Sequence, residues 1–138
     1  MTQTQIDRTY ELFESLTHGA FEHFLSGCAE DLYVTVRGTD PTTTYVSKSE
    51  IVDWYESMES LAGPELNSAV EVVQCAGTKS VVVVHYDFER DGTDHAFAMV
   101  HLCTLRDSQI ASWTTFPLNL ADFARALGIR RTVEPQLV

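Results

Sequence analysis

Positive charge is scarce in this chain: 9 lysines and arginines stand against 20 acidic residues, a formal net charge of −11. Such a balance repels nucleic acid and anionic membrane surfaces, and no basic stripe offsets it. Cysteine is sparse as well. Cys28, Cys75 and Cys103 are widely spaced and form no CxxC pair, which argues against a zinc site or a disulfide framework and leaves buried free thiols. The 5 histidines show no HxH or HExxH spacing, so no metal is expected. A Gly-rich phosphate loop, a GxSxG elbow and a Cys–His nucleophile signature are missing too. Any catalysis is then expected to be acid–base work without a cofactor. Apolar runs are only a few residues long, too short to span a membrane. The opening MTQTQIDRTYELF lacks the basic start and apolar core of a secretory signal, so a cytoplasmic location is the expectation.

With 138 residues, 44% of them hydrophobic and 10% aromatic, the chain can bury a real core, and one domain over residues 1–138 is expected. The most informative stretch is Ser80–Phe116. Ser80–Arg90 is rich in β-branched and aromatic residues, Asp91-Gly92-Thr93-Asp94 supplies a hairpin turn, and His95–Leu105 is a second strand. Arg106-Asp107-Ser108-Gln109 turns the chain into a third, Ile110–Phe116, which makes an antiparallel meander. In the first strand Val81, Val83, His85, Asp87 and Glu89 share one face and Val82, Val84, Tyr86 and Phe88 the other. Both faces begin apolar, so His85 and Asp87 are expected to mark either a polar cavity, taken as the working reading, or an edge where that face meets water.

Helical periodicity accounts for most of the remainder. Thr4–Leu16 carries Ile6, Tyr10, Phe13 and Leu16 at helical spacing and stops at His18-Gly19. Ala20–Ser26 is a short second helix ended by Gly27, and Leu32–Val36 a strand ending at Gly38. Thr39–Thr44 is expected to be a loop. Ser47–Ala62 opens with Ser47 and Glu50 as a capping box, presents Ile51, Trp54, Tyr55, Met58 and Leu61, and ends at Gly63-Pro64. Leu66–Cys75 is another strand, Leu118–Leu127 a last amphipathic helix closed by Gly128, and Arg130–Val138 a tail or a segment that adds to a partner. This order predicts an α+β fold with helices on one face of the sheet.

The layout resembles the nuclear transport factor 2-like superfamily, and within it the SnoaL-like polyketide cyclases. The matching stretches are Tyr10–Leu16 with His18-Gly19-Ala20-Phe21, Cys28–Tyr33 through Gly38, Ser49–Tyr55, and Leu105-Arg106-Asp107-Ser108-Gln109-Ile110. The resemblance implies a cone-shaped, curved antiparallel sheet wrapped around N-terminal helices, usually dimerising through the outer face of the sheet. His85-Tyr86-Asp87 resembles the Arg-x-Asp of limonene-epoxide-hydrolase-like members, with His85 in place of Arg and Thr115 where a second Asp would align. The ketosteroid isomerase branch uses a Tyr and an Asp where this chain has Leu12 and Thr35 or Val36, which excludes that mechanism.

Asp87 is accordingly expected to be the principal acid or base, with His85 its partner and His101 a second acid–base group. Arg37 is a candidate oxyanion or carbonyl binder. Tyr33, Trp54, Tyr55, Met58, Met99, Trp113 and Thr115 are expected to bind the substrate, and their bulk suits an apolar, ring-containing molecule. His18, His23 and His95 are expected to face solvent. The first functional expectation is a cyclase, isomerase or epoxide-opening catalyst acting without a cofactor on a hydrophobic polyketide- or terpenoid-like intermediate. The second is a non-catalytic ligand-binding or dimerising accessory protein. A homodimer packed sheet to sheet is the expected state, with Val82, Val84 or their opposite-face neighbours in the interface.

Overall fold

A computed structural model describes residues 3–37, 43–62 and 66–127. Helix α1 (Gln3–Thr17) puts Thr9, Leu12, Phe13 and Leu16 on one buried stripe. It ends in a Schellman motif: the Gly19 N–H donates to the Leu16 carbonyl and the Ala20 N–H to that of Ser15. Gly19 takes φ +79° there, a conformation that carries no Cβ penalty only for glycine. Helix α2 (Phe21–Ser26) follows, and then strand β1 (Cys28–Val36). Strand β2 (Thr43–Tyr45) precedes α3 (Lys48–Ala62), whose first turn is capped as the sequence suggests. The Ser47 hydroxyl accepts from the Glu50 N–H at 3.1 Å, and the Glu50 carboxylate accepts from the Val46 N–H at 3.2 Å.

Four strands then run in succession: β3 (Asn67–Ala76), β4 (Lys79–Arg90), β5 (Thr93–Arg106) and β6 (Gln109–Pro117). Helix α4 (Leu120–Leu127) starts where the Asn119 side chain accepts from the Asp122 N–H, two residues later than the sequence suggests. The hairpin turns are two residues long. Asp91 and Gly92 have φ +54° and +78°, Asp107 and Ser108 +54° and +65°, the left-handed pair that matches the twist of the flanking strands.

The strands form one curved, open sheet in the order β2-β1-β6-β5-β4-β3. The α+β class and the meander are as expected, with three differences. The pair β1–β6 is parallel, because β1 enters the sheet alongside the last strand of the meander instead of joining a hairpin. β1 starts at Cys28, which pairs with Ile110. Thr43 and Thr44, expected in a loop, pair with Val36 and Thr35 as part of β2. The expectations for Gly38, residues 39–42, Gly63-Pro64, Gly128 and Arg130–Val138 lie outside the described residues.

Register decides which side chains meet the helices. Val82, Val84, Tyr86 and Phe88 of β4 point inward together with Phe97, Met99, His101 and Cys103 of β5. Phe13 of α1 seals this face: its ring lies 5.6 Å from Phe24 and 6.0 Å from Trp113, both edge-on. Phe123 of α4 meets Phe97 at 5.5 Å. Val82 and Val84 are therefore core, and only their neighbours Val81 and Val83 face outward.

The two sides of α1 give a test of this layering. Phe13→Ala removes a ring with no exposure and is expected to cost about 3–5 kcal/mol in urea unfolding. Tyr10→Ala, on the 44% exposed side of the same helix, should cost under about 1 kcal/mol.

Candidate active site inside the sheet

At the middle of the inner face, one row of cross-strand neighbours reads Val72, Val82, His101, Thr115 and Val36. The next row reads Cys75, Ser80, Cys103, Trp113 and Val34. His101, Thr115, Ser80 and Trp113 are all sealed from solvent, and Ser80 interacts with the Cys103 thiol, yet both His101 ring nitrogens, the Thr115 hydroxyl and the indole N–H lack a hydrogen-bond partner among the described residues. An unsatisfied buried polar group typically costs about 1–3 kcal/mol, so a cluster of them needs a physical reason. Aromatic rings close around the imidazole: Phe13 lies 5.0 Å away and Trp113 6.1 Å, edge-on.

Burial alone lowers the His101 pKa from 6.5 to about 3. At neutral pH the ring is therefore uncharged, with one N–H to donate and one lone pair to accept. Beside it the Thr115 hydroxyl can do either. Thr115 is itself held by its backbone, whose carbonyl accepts from the Arg37 N–H at 2.8 Å. Burial also raises the Cys28 and Cys103 thiols to about 12; all three cysteines are free and buried, as the sequence suggests.

A second polar feature lies at the other end of the inner face. The hydroxyls of Tyr55 and Tyr86 are 2.5 Å apart, and burial pushes both phenols well above their ordinary value. Met58 and Met99 are buried in the same core, and Trp54 is half-buried between Tyr45 and Tyr55.

His85, Asp87 and His101 do not converge. With Arg90 opposite Thr93, His85 pairs with Ala98 and Asp87 with Ala96 on the outer face, whereas His101 pairs with Val82 on the inner one. The His85 ring, 51% exposed, meets the Glu71 carboxylate at 3.1 Å, and Asp87 accepts from the Asn67 amide at 3.1 Å. The expected polar cavity around His85 and Asp87 is instead an open groove of about 780 Å³, bordered by Asn67, Asp87, Glu89, Asp94 and His95. His95 is half-buried and stacks on Phe88 at 5.3 Å, where solvent exposure was expected; His18 and His23 are exposed as expected. Tyr33 and Arg37 are exposed too: from Leu32 on, β1 buries Leu32, Val34 and Val36 and turns the residues between them outward, and Arg37 follows its last residue. Phe13, expected on the first helix stripe, borders the inner cluster, as does Ser80, which had not stood out in the sequence. The signal for Ser80 was the alternation itself, which puts it in phase with Val82 and Val84.

The sequence profile of the SnoaL-like domain matches residues 9–113. The chain belongs to the SnoaL-like family. No curated protein matches it. Among solved structures, a loop-truncation variant of IdmH is 17% identical, with 87% of this chain and 97% of that one covered at a TM-score of 0.73. TerC co-crystallised with polyporic acid is 16% identical, with 90% and 98% covered at 0.73. An LEH-like epoxide hydrolase of M. tuberculosis is 13% identical, with 90% of each chain covered at 0.60. At these identities the likeness establishes the fold alone. In this SnoaL-like chain no group of three or more His, Cys, Asp or Glu is placed to hold a metal ion among the described residues, and no described helix is long and apolar enough to cross a membrane.

The buried imidazole predicts a pH dependence. A depressed folded-state pKa means that protonation favours the unfolded chain. The contribution of neutral His101 is thus complete above about 6.5 and is lost as pH falls toward about 3. Urea titrations at pH 7, 5.5 and 4 should show the protein losing up to about 1.4 kcal/mol per pH unit more than His101→Phe does in that window.

Proposed function

We propose that this SnoaL-like protein is an acid–base catalyst for a hydrophobic, polyketide- or terpenoid-like ring compound held inside the sheet, with His101 and Thr115 as the proton-handling groups and no cofactor. The observation that carries this reading is the set of buried polar atoms without partners around His101. A core selected for stability alone would place aliphatic carbon there. Burial leaves the neutral imidazole a weak base, so its lone pair takes a proton from one ligand atom only once the ligand's polar groups beside it offset that desolvation; the ring N–H or the Thr115 hydroxyl then returns one to another. Isomerisation, enolisation-driven ring closure and epoxide opening all need that pair of events. Met58, Met99, Trp113 and Tyr55 would supply the apolar walls. Structural neighbours give the chemistry its range, since one was crystallised with polyporic acid and another is an epoxide hydrolase.

The test is turnover of a panel of aromatic polyketide and cyclic terpenoid substrates, epoxides included, followed by chromatography and mass spectrometry. His101→Gln should lower kcat by about 10²–10⁴-fold on any substrate found. A second reading puts the reaction in the open groove at the end of β4 and β5, where Asp87, Asn67 and His95 border an opening wide enough for a small ring compound. In that case Asp87→Asn carries the loss and His101→Gln leaves the rate intact. Stoichiometric binding without turnover would favour a ligand-binding accessory protein.

The outer face supports a homodimer. Tyr33 and Leu102 are 48% and 42% exposed there, beside Val81, Val83 and Phe116. Aliphatic surface of this kind on a sheet is most simply covered by a second copy in a two-fold contact. Sedimentation equilibrium at micromolar concentration should give twice 15.5 kDa, and Leu102→Glu should return the protein to the monomer mass.

A further inference from the structure

Strand β3 covers only part of β4. Its first paired residue, Asn67, stands opposite Asp87, and β4 runs on through Phe88 and Glu89 with β5 alone beside it among the described residues. The open groove of about 780 Å³ lies along this uncovered stretch. A strand edge left without a neighbour holds main-chain donors and acceptors ready for another chain. On the outward side of the same stretch Glu89 faces Asp94 directly across the hairpin, and Asp87 is two residues away on the same face. Like charges in that position repel. No described cation forms an ion pair with Glu89 or Asp94, and the hydrogen bond to Asp87 comes from the Asn67 amide. The groove also has a flat, apolar side, where the His95 ring stacks on Phe88 at 5.3 Å and Leu66 and Ala96 adjoin. Phe88 already lies beneath one guanidinium, that of Arg90, 5.4 Å from the ring centroid. Against that positive charge the rim sets the carboxylates of Asp87, Glu89 and Asp94, in a chain whose net charge is −11.

We propose that this groove docks an extended, arginine-bearing segment of a partner protein, laid along the uncovered end of β4. Main-chain pairing aligns the segment, and its alternate side chains fall on the carboxylate side and the aromatic side in turn. Arginine suits the first side, because its planar fork bridges two facing carboxylates. The ledge of Phe88 and His95 suits an apolar neighbour. An uncovered strand end favours a peptide over a free small cation, which has no main chain to pair. Docking here is separate from the acid–base chemistry at His101.

Fluorescence anisotropy of a dye-labelled Val-Arg-Val-Arg-Val peptide, titrated with the full chain at low salt, tests the site. Binding should weaken as salt rises. The same peptide with citrulline for both arginines should bind about 10-fold more weakly or worse. Glu89→Gln combined with Asp94→Asn should cost a similar factor. Asp53→Asn combined with Glu56→Gln removes the same charge from α3 and should leave affinity within about 2-fold. All four of these side chains are exposed, and thermal melts check that both variants are folded. Methylating the peptide's main-chain nitrogens should abolish binding, because it removes the donors that pair with β4. No binding up to millimolar peptide, an equal loss in the α3 control, or full affinity of the citrulline or methylated peptide overturns the docking site. Free arginine amide binding as tightly as the peptide overturns it too, since the groove would then be a small-cation site.

Discussion

The two-residue turn at Asp91-Gly92 is the constraint on which the arrangement of this molecule depends. It places Arg90 opposite Thr93, and a hairpin side-chain period of two carries that register through the whole of β4 and β5. His101 thereby joins Val82 under the helices, and His85 and Asp87 join Ala98 and Ala96 outside. A slip of one residue would reverse both assignments and expose the valines. The apolar inner face and the turn geometry agree, and the agreement makes the register unique.

Within that frame the interior is divided. One end is aromatic packing of Phe13, Phe24 and Trp113 around an uncharged imidazole; the other holds two phenols bound to each other amid Phe97 and Phe21. Burying His101 costs stability that a phenylalanine of similar shape would not. Local disagreement between a residue and its surroundings is what functional sites commonly show, and here it is confined to a few side chains in a core that otherwise packs by simple rules.

Much of this is legible in the sequence, and the exceptions have physical causes. Helix stripes such as Phe13-Leu16 and Ile51-Tyr55-Met58 are short-range patterns, as are the Ser47–Glu50 cap and the Asp-Gly turn; Tyr10, expected on the first stripe, is 44% exposed, and Leu12 takes the buried side instead. The pairing of β1 with β6 is not, because nothing near Cys28 or Val36 announces a partner in another part of the chain. β2 is short and built of threonines, which suit a loop equally well. His101 was recoverable: its alternation with Phe97, Met99 and Cys103 marks a buried face. His85 and Asp87 looked like a catalytic pair through their likeness to a family motif, whereas their phase with Glu89 points to solvent.

The parallel pair also sets an order of events in the making of the protein. Val36 must find Thr115 roughly eighty residues later, a contact far more distant than any in the hairpins. As the chain leaves the ribosome, β1 is finished early and has no neighbour on its β6 side until almost everything else has been made. The meander pairs neighbours in the chain, whereas the row His101–Thr115–Val36 needs both ends of it. A chain that stops short of Thr115 therefore lacks that row altogether.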